Sequence, residues 1–247
     1  MEEIRLNKYL SDRGVCSRRE ADRLTEEGRI LVNGKPASLG QKVTDADEIR
    51  VNGALVDTRS PEKVIIALNK PTGYVCTTKD FRGEENVLSL IDYNGRLYPV
   101  GRLDKDSEGL LFLTNDGAFA SEITKASGKH EKEYEVTVSH DLTESFLKRM
   151  EKGIYLSELQ KTTAACKVKK TGDRRFTIVL TQGLNRQIRR MCQSCGYEVT
   201  ALKRVRIMNV LLGKMKPGEW RFVTGAERTE LLSGLSKKGS GKTAAKR

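Results

Sequence analysis

The chain alternates between helical and strand periods, and each change of period marks an element. "IRLNKYLSDRG" sets Leu6 and Leu10 one helical turn apart and stops at Gly14. Ser17 and Glu20 then form a capping-box pattern, in which each side chain can satisfy a backbone donor at a helix start. This predicts a second helix over 18–27, closed by Gly28. "RILVNGKPA" reads as a short strand with an Asn33-Gly34 turn, and "DEIRVNG" as another strand. The polar stretch 56–63, which contains Pro61, reads as a linker.

Beyond the linker the pattern belongs to a sheet. Residues 64–68, "VIIAL", form a continuous apolar run suited to a strand buried on both faces. "EKEYEVTV" has period two, with Tyr134, Val136 and Val138 on one face and Glu133, Glu135 and Thr137 on the other. "RRFTIVLTQG" predicts a further strand. "NRQIRRMCQSCG" returns to helical period: Ile188, Met191, Cys192 and Cys195 face inward, and Arg186, Arg189, Arg190 and Gln193 face outward. Many strands with few helices predict an α+β fold on a mixed, largely antiparallel sheet. The organisation expected is a small module over 1–60, a larger domain over 61–235 and a disordered basic tail over 236–247.

Charge sharpens this picture. The 247 residues carry a net +12, which points to a polyanionic partner. The first 60 residues are neutral, with 11 basic and 11 acidic groups, while 236–247 hold five basic groups and no acid. The segment between has 29 basic residues against 22 acidic. No run approaches the ~18 apolar residues of a membrane span. The start, Met-Glu-Glu-Ile-Arg, lacks the basic-then-apolar order of a secretory signal, so a cytoplasmic protein is expected.

Several chemistries are set aside. Five scattered cysteines suit reduced thiols, and Cys192-x-x-Cys195 has no second pair to complete a tetrahedral metal site. His130 and His140 make no ligand pattern, so no metal is expected. Gly241-Lys242-Thr243 imitates the end of a phosphate-binding loop, but Ser236 stands where the loop needs glycine. Only four residues follow Thr243, too few for the helix that would face a phosphate, so no nucleotide cofactor is expected.

The richest stretch is "VGRLDKDSEGLLFLTNDG", residues 100–117, where Arg102, Asp104, Lys105, Asp106 and Glu108 crowd the approach to an apolar strand. "GRLDKDSEGLLFLTNDG" resembles the signature motif of the pseudouridine synthases, and "NKPTG", "KEY" and "QGLNRQIRRM" match further motifs of that family. The run 64–225 resembles the branch that modifies ribosomal RNA. Members of that branch carry an amino-terminal RNA-binding domain of the type named after small-subunit ribosomal protein four. "LNKYLSDRGVCSRREADRLTEEGRILVNG" resembles that domain too.

The resemblance implies isomerisation of a uridine within RNA, without cofactor or metal. Large-subunit (23S) ribosomal RNA is the favoured target, with small-subunit RNA or a tRNA stem-loop as alternatives, and a monomer is expected. It makes Asp104 the carboxylate that acts at the ribose or the base; attack on the sugar, attack on the base and proton removal all stay open. Tyr134 would stack near the target base, and Arg189 would pair with Asp104. Arg102 would fill the space left when the uridine is flipped out, a displacement that costs roughly a few kcal/mol. Arg186 and Arg190 are expected on phosphates, as are Arg5, Lys8, Arg18, Arg19 and Arg23 of the first module. Asp106 and Glu108 are expected in structural or solvent roles. Two other classes stay in view: a non-catalytic RNA-binding assembly factor and a nucleoside hydrolase.

Overall fold

Leu6, Tyr9 and Leu10 of the helix Leu6–Asp12 meet Ala21 and Leu24 of the helix Arg18–Glu26 in one small core. Ile30, Val32, Ile49 and Val51 complete it from a four-stranded antiparallel sheet, ordered Lys35–Pro36, Ile30–Val32, Ile49–Val51, Ala54–Leu55. The Ser17 hydroxyl accepts from the Glu20 N–H at 3.0 Å, which starts the second helix where the sequence places it. The Glu20 carboxylate accepts from Arg23. Asn33 and Gly34 both take positive φ, 50° and 75°, as a tight hairpin turn of the primed type requires. The computed structural model describes residues 3–78 and 83–239, with side chains as far as Leu235 at the C-terminal end.

This first compact unit runs to Lys63 and takes in 94–96 and 115–117; the second begins at Val64. The second is built on a mixed sheet. Its main path runs Lys167–Gly172, Arg175–Leu180, Lys132–Val138, Val199–Ile207, Glu108–Thr114, Ile65–Lys70, Trp220–Phe222. Tyr98–Val100 pairs with Glu108–Thr114, and Val210–Leu211 with Val199–Ile207. The apolar run expected at 64–68 forms the strand Ile65–Lys70, all six residues buried, Asn69 and Lys70 included. Val136 and Val138 are buried as the period-two pattern requires. They pack with Phe176, Ile178 and the helices Glu144–Lys152 and Gln187–Gln193. Ile65, Ala67, Leu110 and Phe112 form a second core with the helices Gly117–Thr124 and Gly225–Gly239.

Among the described strands one pairing is parallel, Glu108–Thr114 beside Val199–Ile207, with Gly109 opposite Arg204. Gly109 has φ +110°, and a Cβ there would meet the Arg204 backbone, 2.5 Å from its nitrogen. Glycine is what lets these two strands close.

Two expectations change. The inward-outward helix read over 185–196 is shorter, Gln187–Gln193, and Arg186 precedes it in the left-handed region at φ 49°. Arg186 therefore does not share a helix face with Arg189. Arg189 itself is turned inward, its side chain 14% exposed, because neighbouring carbonyls and carboxylates draw its guanidinium in. The last helix reaches Gly239, past the expected start of a disordered tail at 236, anchored by Leu231 and Leu235 in the core. The rest of that tail, 240–247, lies outside the described residues.

Candidate active site

The charges before the apolar strand form a loop held from below. Lys70, at the end of its buried strand, donates from Nζ to the carbonyls of Ser107 (2.8 Å) and Pro71 (2.9 Å), with that of Lys105 at 3.5 Å. Burial, the largest influence, pulls the Lys70 ammonium below its ordinary range, while the charges of Asp106 and Asp104 are among those that support it. Arg189 fastens the same loop from the side: its Nη2 donates to the Asp106 carbonyl (3.0 Å) and Ser107 Oγ (3.2 Å), and its Nη1 to the Val199 carbonyl (3.1 Å). A lysine and an arginine thus fix the backbone that directly follows Asp104, residues 105–107, without engaging its carboxylate in a hydrogen bond.

Asp104 is partly exposed at the wall of a cleft of about 800 Å³. Its Oδ2 lies 3.5 Å from Arg186 Nη1 and 4.0 Å from Arg189 Nε. That Nε is buried and has no hydrogen-bond partner among the described residues. Asp106, expected in a structural or solvent role, engages both arginines: it accepts from Arg186 Nη1 (3.3 Å) and Nη2 (3.2 Å), and lies 3.2 Å from Arg189 Nη2. Burial opposes its ionised form, but the Arg186 hydrogen bond and the Arg189 and Arg186 charges outweigh that and hold its carboxyl below the usual range. Asp106 thereby positions the two cations that Asp104 faces. Glu108 pairs with Lys203 at 2.9 Å.

The same cleft is lined by Tyr134, Arg102, Arg186, Lys132 and Arg204. Tyr134 stands directly opposite Arg204 in the ladder, so both side chains leave the sheet on one face. A register shift beside Tyr134 skips Val205, a bulge of the kind that re-aims side chains at functional sites. Arg102 is exposed on the cleft rim. Arg190 is bound to Glu158 and to Asn185. In the first unit, Lys8 pairs with Asp12, and Arg23 with Glu20 and Glu27. Arg5, Arg18 and Arg19 are exposed and have no ion-pair partner among the described residues. Cys192 is buried, and burial pushes its thiol up to about 12, as for a packing residue. Among the described residues no three His, Cys, Asp or Glu side chains converge as on a metal.

The arrangement can be compared with known proteins. The family model described as RNA pseudouridylate synthase matches residues 64–194, more than half of the chain and all of the Asp104 loop. The chain belongs to the RNA pseudouridylate synthase family. A second model, the S4 domain, matches residues 4–49 of the synthase. Dual-specificity RNA pseudouridine synthase RluF of Escherichia coli (strain K12) is 50% identical over 231 residues, 93% of this chain and 78% of that protein. Ribosomal large subunit pseudouridine synthase B of Bacillus subtilis (strain 168) is 37% identical over 229 residues, 90% and 93% of the two chains. A solved structure described as a pseudouridylate synthase superimposes with TM-score 0.69 at 29% identity, covering 92% of this chain and 99% of that one.

The synthase thus uses RNA as its substrate, and no helix among its described residues is long and apolar enough to cross a membrane. Sequence reasoning brought Asp104, Tyr134, Arg102, Arg186 and Arg189 to this cleft or its wall. It gave no role to Lys70, Lys132 or Arg204. For the two lysines a signal existed: Lys132 shares the face of Tyr134, Val136 and Val138, and Lys70 lies two positions beyond the apolar run 64–68. A cation at an inward strand position needs a reason.

Proposed function

We propose that the synthase converts one specific uridine of ribosomal RNA, in the large subunit (23S), to pseudouridine, as a cytoplasmic monomer. The observation that carries this reading is the meeting of Asp104 with Arg186 and Arg189 at one wall of a cleft that also holds Tyr134. The relative from Bacillus subtilis is named for the large ribosomal subunit, which supports the target. Those from Escherichia coli are named dual-specificity RNA enzymes, so a tRNA stem-loop is the second substrate to test.

In this reading the target nucleotide leaves its stack and enters the cleft base first. Tyr134 packs against the flat ring. Asp104, which faces the Arg186 and Arg189 guanidinium groups, acts at the ribose or the base. Exposed Arg5, Arg18 and Arg19 hold RNA phosphates, and Arg186 adds a contact at the cleft. Arg190, bound to Glu158, contributes less. Incubating purified enzyme with unmodified 23S, 16S and tRNA transcripts and mapping pseudouridine at nucleotide resolution tests the reading. A single modified 23S position is expected. Modification confined to 16S RNA would overturn the target, and free uracil would overturn the reaction.

Arg102 is the residue that replaces the displaced base. Its planar guanidinium can stack where an ammonium cannot. Arg102→Ala is expected to be severely impaired on folded RNA and less so on a variant whose target uridine is already unpaired, with Arg102→Lys recovering little. Single-turnover rates for both variants on both RNAs decide it; equal losses on the two RNAs would remove Arg102 from that role.

A further inference from the structure

Two cations deep in the cleft have no carboxylate in ion-pair contact among the described residues. Arg204 is 4% exposed. Its Nε donates to the Leu110 carbonyl at 2.6 Å, and its Nη2 is buried without a hydrogen-bond partner among the described residues. Lys132 is half-buried in the same cleft, where its Nζ donates to the His130 carbonyl at 3.1 Å. Across the ladders it faces Leu180 and Ile207, both apolar; Tyr134 shares its face, and Arg204 is the charged group acting on it. Burial first, then the Arg204 charge, brings the Lys132 ammonium down to about 8. Two desolvated like charges side by side cost free energy in the resting enzyme, a cost that a negative group between them reverses.

Arg186 and Arg102 stand at the wall and rim, where a backbone phosphate passes. A nucleotide entering base first brings its ring, not its phosphate, to the floor. We propose that Lys132 and Arg204 form a cationic floor that takes up the negative charge gained by the uracil ring when it is detached from the ribose. This rests on the uridine-isomerising reading above. When the C1′–N1 bond breaks, its electron pair stays with the base, which then carries one negative charge shared by N1, O2 and O4. The deficiency at C1′ is answered by the Asp104 carboxylate. The pair returns as C5 bonds to C1′; C5 then loses its proton and N1 gains one, so the product is an isomer. Between those events, fixed cations in a water-poor floor stabilise the ring far more than water would.

Lys132 is the residue to test, since its half-buried amine can be changed without unpinning a strand. Lys132→Met is expected to slow single-turnover isomerisation by about 100-fold while gel-shift affinity for the RNA stays at the wild-type level. The wild-type kcat/KM is expected to fall as pH rises through about 8, where Lys132 loses its proton. Lys132→Arg keeps its charge at every accessible pH, so it is expected to restore most of the rate and to lack that fall. Titration of the substrate's own N3–H is common to all three enzymes. A Lys132→Met enzyme at the wild-type rate, or one that loses affinity instead of rate, overturns the proposal. So does a Lys132→Arg profile that falls with that of the wild type. Absence of pseudouridine from the wild-type reaction would count against the ribosomal-RNA reading instead.

Discussion

Asp104→Asn is expected to cut isomerisation by about 10⁴-fold or more while leaving RNA affinity near wild type. Asparagine keeps the shape of the side chain and removes its charge. The loop around it does not depend on that charge. Lys70 holds it through the Ser107 and Pro71 carbonyls, and Arg189 through the Asp106 carbonyl and Ser107 Oγ. Arg186 keeps its fork on Asp106. The variant should therefore fold, melt with the wild type and present the same surface to RNA. Single-turnover assays, gel shifts and a thermal melt check the three parts. Substantial turnover in an Asn preparation free of wild-type enzyme would overturn the assignment.

Gly109→Ala is expected to do the largest damage to stability. The new Cβ would press on the Arg204 backbone at the parallel junction, and the residue would keep a φ that side chains resist. Backbone strain of ~1–2 kcal/mol and overpacking of ~1–3 kcal/mol together lower the melting temperature by roughly 10 °C. Activity should fall beyond the loss of folded protein, because the strand that carries Arg204 must shift. Calorimetry and the specific activity of the folded fraction measure the two effects. A variant that melts with the wild type would show that the strands can part without cost.

The sequence made the small module legible almost residue by residue. Ser17, Gly28 and Asn33-Gly34 act within a few positions of one another, so local chemistry suffices. The strands Ile65–Lys70 and Lys132–Val138 were readable for the same reason, since burial imposes its period on the chain. Asp104 and Tyr134 were legible through motif resemblance. What stayed hidden is what long-range pairing creates. Nothing near Arg204 in the sequence says that it sits opposite Tyr134 and Gly109. Asp106 looks solvent-bound until Arg186 and Arg189 arrive from 80 residues away. Arg186 looked helical because its spacing fits; a left-handed backbone takes it off the helix so that it can reach those carboxylates.

The strand Val199–Ile207 follows its two neighbours, Glu108–Thr114 and Lys132–Val138, in the sequence yet lies between them. During synthesis, Glu108–Thr114 and Lys132–Val138 emerge first, each with a bare row of backbone donors and acceptors. Such edges are where chains stick to one another. Closure joins Glu108 to Lys203, about 95 residues apart in sequence, so the entropy of the loop delays it. The same closing event carries Arg204 to Tyr134. A nascent chain short of that strand is both aggregation-prone and without the floor of its cleft, so sealing the sheet and arming the enzyme are one step.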